Sequence, residues 1–158
     1  VNLDAHHIAI LQRFQAILAD VEGIEAVRVG ATDLKRLPPQ FEANILPLPD
    51  FNNPVDGQGA DDWPGETLAA PIIYIITYGV AIEVVRRGDD MLSAMQLAAN
   101  CRAAIEADEQ LGSMVDSLTY ETTQLAAGKP DQQSFVLVAP IFNFTYRMAR
   151  GGNTRITG

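Results

Sequence analysis

Cysteine is almost absent. Cys101 stands alone, so the chain can form no internal disulfide and cannot by itself complete a tetrahedral Cys/His metal site. Basic charge is also scarce: 11 Lys and Arg against 20 Asp and Glu give a formal net charge of -9 and a pI near 4.5. Such a balance repels phosphate and argues against sequence-specific DNA binding. Long apolar runs are missing too. The longest, around PIIYIITYGVAI, covers about a dozen residues, short of the roughly 18 that a membrane-spanning helix needs. The amino-terminal VNLDAHHIAILQRF has neither the basic region nor the small-residue cleavage site of a secretory signal, so no export signal and no membrane contact are expected.

The usual marks of catalysis are equally thin. No GxxxxGK[ST], GxGxxG or GxSxG pattern occurs, and the RGGN glycines lie near the end of the chain rather than between a strand and a helix. His6 and His7 are neighbours, so on a helix they diverge by about 100 degrees and cannot clamp one metal; they read as solvated residues at a helix start. Asp50, Asp56, Asp61, Asp62 and Glu66 lack the ordered alternation of a calcium loop and read as a solvated acidic stretch. Cys101 sits inside an apolar helical stripe, where a thiol is a small buried filler. A small enzyme or ligand-binding domain would need His6, Asp89 and Cys101 to converge from separate elements, and nothing in their spacing requires it. No catalytic residue, cofactor or metal is expected.

What is present is enough for one folded unit. The 158 residues are 47% hydrophobic and 20% charged, the balance of a chain that builds a core. The expectation is a single globular domain over 1–148, interrupted by a long irregular loop at 50–67, with a flexible arm over 149–158. Residues 4–21 read as a helix capped by Asn2 or Asp4, with Ile10, Leu11, Phe14, Ile17, Leu18 and Val21 on one stripe and Gly23 beyond its end. A short strand follows at 24–29. Residues 31–70 are rich in Pro, Gly, Asn and Asp, with a strand at 41–46 and then an exposed loop that is either plain surface or a contact element.

The β-branched stretch 70–87 reads as one bent strand or a tight hairpin turning at Gly79, its first half buried on both faces and its second half turned to solvent by Glu83, Arg86 and Arg87. Residues 89–112 form the clearest helix, with Asp89 or Asp90 as N-cap, Gly112 as terminator and a stripe of Met91, Ala94, Met95, Ala98, Cys101 and Ile105. Two more strands close the chain, at 113–125 and 134–148. In the second, Val136, Val138, Phe142, Phe144 and Tyr146 share one face against a polar Asn143, Thr145 and Arg147, and Pro140 implies an edge position or a bulge.

Taken in order, these elements resemble the tail terminator, or tail completion, proteins of long-tailed bacteriophages and related gene transfer agents. The resemblance spans nearly the whole chain and is carried by AIEVVRRGDDMLSAMQLAANCRAAIEADEQLG, where a strand runs into an alanine-rich helix, and by the closing strand SFVLVAPIFNFTYR. It implies an α/β (α+β) fold with a mixed, largely antiparallel sheet packed against two main helices. It implies a non-catalytic virion protein, assembled in the bacterial cytoplasm, that forms a hexameric ring capping the tail tube and joining it to the head connector. DNA would only pass through the lumen, where acidic charge avoids trapping it. Phe51 and Trp63 are the expected contacts with a neighbouring subunit. Asp61, Asp62, Phe142, Phe144, Tyr146, Arg147 and Arg150 are further interface candidates, and the arm from Ala149 onward is expected to order on assembly by adding a strand to another chain. Another connector or tube subunit is the nearest alternative role.

Overall fold

The computed structural model describes residues 5–48, 73–129, 133–149 and 155–157. The expected 50–67 loop lies outside the described residues. The fold is α+β: a five-stranded, mostly antiparallel sheet carrying its helices on one face. In chain order the elements are α1 (Ala5–Ala19), β1 (Ala26–Val29), β2 (Glu42–Leu48), β3 (Ile73–Arg87), α2 (Met91–Ala107), α3 (Glu109–Met114), β4 (Ser117–Gly128) and β5 (Phe135–Ala149). Across the sheet the order is β1-β2-β3-β5-β4, with β1 and β2 parallel and the other pairs antiparallel.

The core forms where the period of two along the strands meets the period of 3.6 along the helices. On β5, Val136, Val138, Phe142, Phe144, Tyr146 and Met148 point under the helices and are buried. From α1, Ile10, Leu11, Phe14, Ile17 and Leu18 close over them, with the Phe14 ring 6.4 Å from Phe142 and 6.1 Å from Phe144. Helix α2 adds Ala94, Leu97, Ala98, Cys101 and Ile105. Leu97 takes the buried place expected for Met95, which is 43% exposed. Gly23 ends the α1 turn at φ +99°, and a Cβ there would meet Leu97 at 3.2 Å, so glycine serves both the backbone and the packing. A smaller cluster of Leu37, Val85, Phe135, Leu137 and Ala139 lies on the other face of the sheet.

Several expectations are corrected. His7 is not solvated: it is 1% exposed and stacks on Tyr78 at 3.8 Å, because it shares the stripe of Ile10, Leu11 and Phe14. His6 is also engaged, its Nε2–H donating to the Met114 carbonyl at 2.6 Å. Of the two readings of 70–87 the single strand is the one found: β3 runs through Gly79, paired with β2 on one side and β5 on the other. Its doubly buried part runs from Tyr78 to Val85, broken only by half-buried Glu83, while Ile75 nearer its start is 45% exposed.

Pro140 is not on an edge, since β5 lies between β3 and β4. The β3–β5 ladder skips Ile82 and Glu83, opposite Pro140 and Ala139, and the bulge sits in β4 between Tyr120 and Thr122. A residue without an N–H is thus accommodated by an opened ladder.

The long helix does not run to Gly112, which lies inside α3. Asp108 breaks it in an extended conformation, its Oδ1 accepting from Leu111 N at 2.6 Å to cap α3. The same carboxylate receives Arg13 of α1 in two hydrogen bonds, at 3.2 and 2.5 Å, tying the first helix to the junction of the next two. Asp90, rather than Asp89, caps α2 by accepting from Ser93 N. Gly88, at φ +117°, makes the turn before it.

The carboxyl-terminal arm is partly tied down. Arg155 forms an antiparallel bridge with Met148, and Ile156 N donates to Arg147 O. Arg155 also donates to Ser113 O and pairs with Asp116, which Arg147 approaches at 3.2 Å. Residues 155–157 therefore bind back to their own chain.

Replacing Phe14 by Ala should cost about 3 to 5 kcal/mol, since it leaves a ring-sized void against Phe142 and Phe144. Denaturant titration followed by circular dichroism measures it. The hydrogen bond from Arg13, ahead of the opposing effect of burial, holds the Asp108 carboxyl below its ordinary range. Burial pushes Asp116 the other way, but hydrogen bonds from Arg155 and Arg147 more than offset it. Both carboxyls are lower in the folded state. Their contribution is complete above the ordinary carboxylate pKa of about 4 and drains away as pH falls through the depressed folded values. The Tm should fall below about pH 4, less steeply for Asp108→Asn than for the wild type.

Candidate interaction surface

Among the described residues, the titratable side chains that cluster are engaged in hydrogen bonds and ion pairs within the fold. On the helix-free face, Asn44 Nδ2 donates to Thr32 Oγ1 at 2.9 Å, while Thr32 donates to Glu83 Oε1 through its N–H at 3.0 Å and its hydroxyl at 3.1 Å. Nearby, Arg28 pairs with Glu42 at 2.8 Å. This polar cleft of about 370 Å³ anchors the 30–41 crossover between the parallel strands. Among the described residues no group of three or more His, Cys, Asp or Glu side chains is placed to hold a metal ion. Cys101 is fully buried, and burial alone pushes its thiol up to about 12. His6 is occupied by Met114, and Asp89 is exposed at the start of α2.

An opening in the apolar layer lies between α2 and β4. Met95, Ala98, Ala99 and Arg102 form one wall, and Thr123, Leu125, Val138 and Pro140 the other, around about 250 Å³. Its origin is the β4 bulge. Before it, Leu118 and Tyr120 face the helices opposite Phe144 and Phe142; after it the register shifts by one, and Thr123 and Leu125 take that face opposite Pro140 and Val138. Leu125 remains 56% exposed. Arg102 lies over the Tyr120 ring at 3.5 Å and pairs with Glu106 at 2.8 Å, so its aliphatic stem floors one end of the groove. Among the described residues β4 pairs only with β5, and its outer edge is open along twelve residues.

Of the interface candidates, Phe51, Asp61, Asp62, Trp63 and Arg150 lie outside the described residues. Phe142, Phe144 and Tyr146 are each 0% exposed under α1, because the even positions of β5 face the helices; this corrects their assignment to an interface. Arg147 is on the wetter face, as its parity requires, and is engaged with Asp116. Sequence reasoning missed Met95, Leu125 and Arg102 as surface features. One signal was available: the apolar alternation of Leu118 and Tyr120 changes parity at Leu125, which marks a bulge.

No helix of the described residues is long and apolar enough to cross a membrane. No protein-family description matches the chain, and no curated protein matches it in sequence.

Cys101 should resist thiol reagents in the folded protein at pH 8 and react fully in denaturant. Labelling followed by mass spectrometry checks this, and prompt reaction under native conditions would show that α2 opens from the sheet.

Proposed function

We propose that this chain is a non-catalytic structural subunit of a long-tailed phage particle, a tail terminator whose hexameric ring caps the tail tube and meets the head connector. The observation that carries this reading is the order of elements within one sheet. An amino-terminal helix and a short strand precede a long strand, β3, that runs directly into the alanine-rich helix α2, and the long aromatic strand β5 closes the sheet. Two features of the fold support it. The sheet leaves its outermost strands, β1 and β4, without a second partner strand among the described residues, as a subunit that works through contact area requires. The polar clusters are engaged in holding the crossover loop, the helix junction and the carboxyl-terminal segment.

The charge of -9 accords with a channel that DNA must traverse without sticking. The virion, and before it the bacterial cytoplasm where particles assemble, is the corresponding location. Its partners there are copies of itself, the tube protein and the connector.

Light scattering after gel filtration, with negative-stain imaging, tests the reading. An annular particle near six times 17.1 kDa that halts growth of tail tubes in a mixture is the expected result. Self-polymerisation into long tubes would instead identify a tube subunit. A chain that stays monomeric at every concentration and leaves tube length unchanged would overturn the proposal.

A further inference from the structure

The two ends of the sheet are open in different ways. At the β4 end the helical layer stops short, leaving the groove between α2 and β4, with Leu125 56% and Met95 43% exposed and Leu92, one helical turn before Met95, 78% exposed. At the β1 end the layer is finished by α1. Gln15 donates to Val27 O, which turns that flank of α1 toward β1, whereas Arg13 and His6 face the α2–α3 junction and α3. Ile8 and Gln12 share the Gln15 stripe at helical spacing, and with Ala19 they make it free of charge. Ile8 is 47% exposed there, and Val29, on the helix-facing side of β1 with Val27, is 48% exposed. Five of the seven exposed large hydrophobic residues thus lie at the two ends of one layer, on one face of the sheet.

Strand direction adds a second constraint. β1 is parallel to β2, β2 and β5 are both antiparallel to β3, and β4 is antiparallel to β5. Hence β1 and β4 run in opposite directions. A second copy placed beside the first, without being turned over, brings its β1 alongside β4 as an antiparallel neighbour and keeps its helices on the same face. On the helix-free face, opposite charges flank this junction. Glu121 lies there through its bond from Asn143, and Arg28 lies there through its pair with Glu42.

We infer that copies of this chain associate head to tail, the β4 edge and α2–β4 groove of one receiving the β1 edge and α1 flank of the next, with Ile8 and Val29 covering Leu125 and Met95. The contact joins unlike surfaces, so it propagates from copy to copy and closes only as a ring. It rests on the proposed function for the number of copies in that ring, not for the surfaces that meet.

Single substitutions on each side, Leu125→Arg in the groove and Ile8→Arg on the helix, test this. Met95→Glu serves as a second groove variant, and circular dichroism confirms that each folds. The expected result is assembly by the wild type and monomers from each variant alone. An equimolar mixture of Leu125→Arg and Ile8→Arg should give a one-to-one dimer and nothing larger, because one intact junction remains. If Ile8→Arg assembles like the wild type while the groove variants do not, a two-fold β4–β4 contact replaces this one and the inference is overturned. Rings formed by all the variants would overturn the inference and leave the terminator reading standing. A wild type that remains monomeric, alone and with tail tubes, would overturn both.

Discussion

Alternation along β5 is the constraint from which the rest of the structure follows. Its even-numbered side chains, from Val136 to Met148, lie beneath α1 and α2, and its odd-numbered ones face the other side of the sheet. Both long neighbours are paired to it, so a slip of one residue would carry Phe142, Phe144 and Tyr146 out of the core together. That penalty fixes the pairing of β3 and β4 and the seat of α1. Phe14 and His7 find their partners only because the aromatic residues of β3 and β5 arrive on the same side.

Against this strict register, the two irregularities have defined consequences. Pro140 opens the ladder to β3 without disturbing the sides on which residues lie. The bulge after Tyr120 does the reverse, keeping β4 paired while exchanging its faces. Leu125 thereby joins the helical side of β4 where α2 leaves it 56% exposed, and an apolar groove results.

Much of this architecture was legible in the sequence because periodicity reports burial. The α1 stripe, the capping of α2 and the inward set on β5 all follow from spacing, whereas the mixed sheet was expected only from the resemblance. What failed did so for physical reasons. His7 was judged by its polarity and its place near a helix start, although its spacing to Ile10 and Phe14 placed it inward. Gly112 was taken for a terminator because glycine ends many helices, but Asp108 ends α2 first, and its carboxylate is claimed by a helix ninety-five positions away in sequence. Such a long-range tie has no local signature. The surface at α2 and β4 was hidden for a similar reason: the parity change at Leu125 is visible in the chain, whereas the shortness of the helical layer above it appears only once the sheet order is known.

The two ends of the described chain reach one place. His6, in the first turn of α1, bonds to the carbonyl of Met114, and Arg155 bonds to the carbonyl of Ser113 beside it. The fold is therefore nearly closed on itself, pinned where α3 gives way to β4. A short linker joining these two anchored segments would preserve every element of the sheet, and a new opening could be cut within the 30–41 crossover between β1 and β2. The connectivity of this architecture is less constrained than its packing.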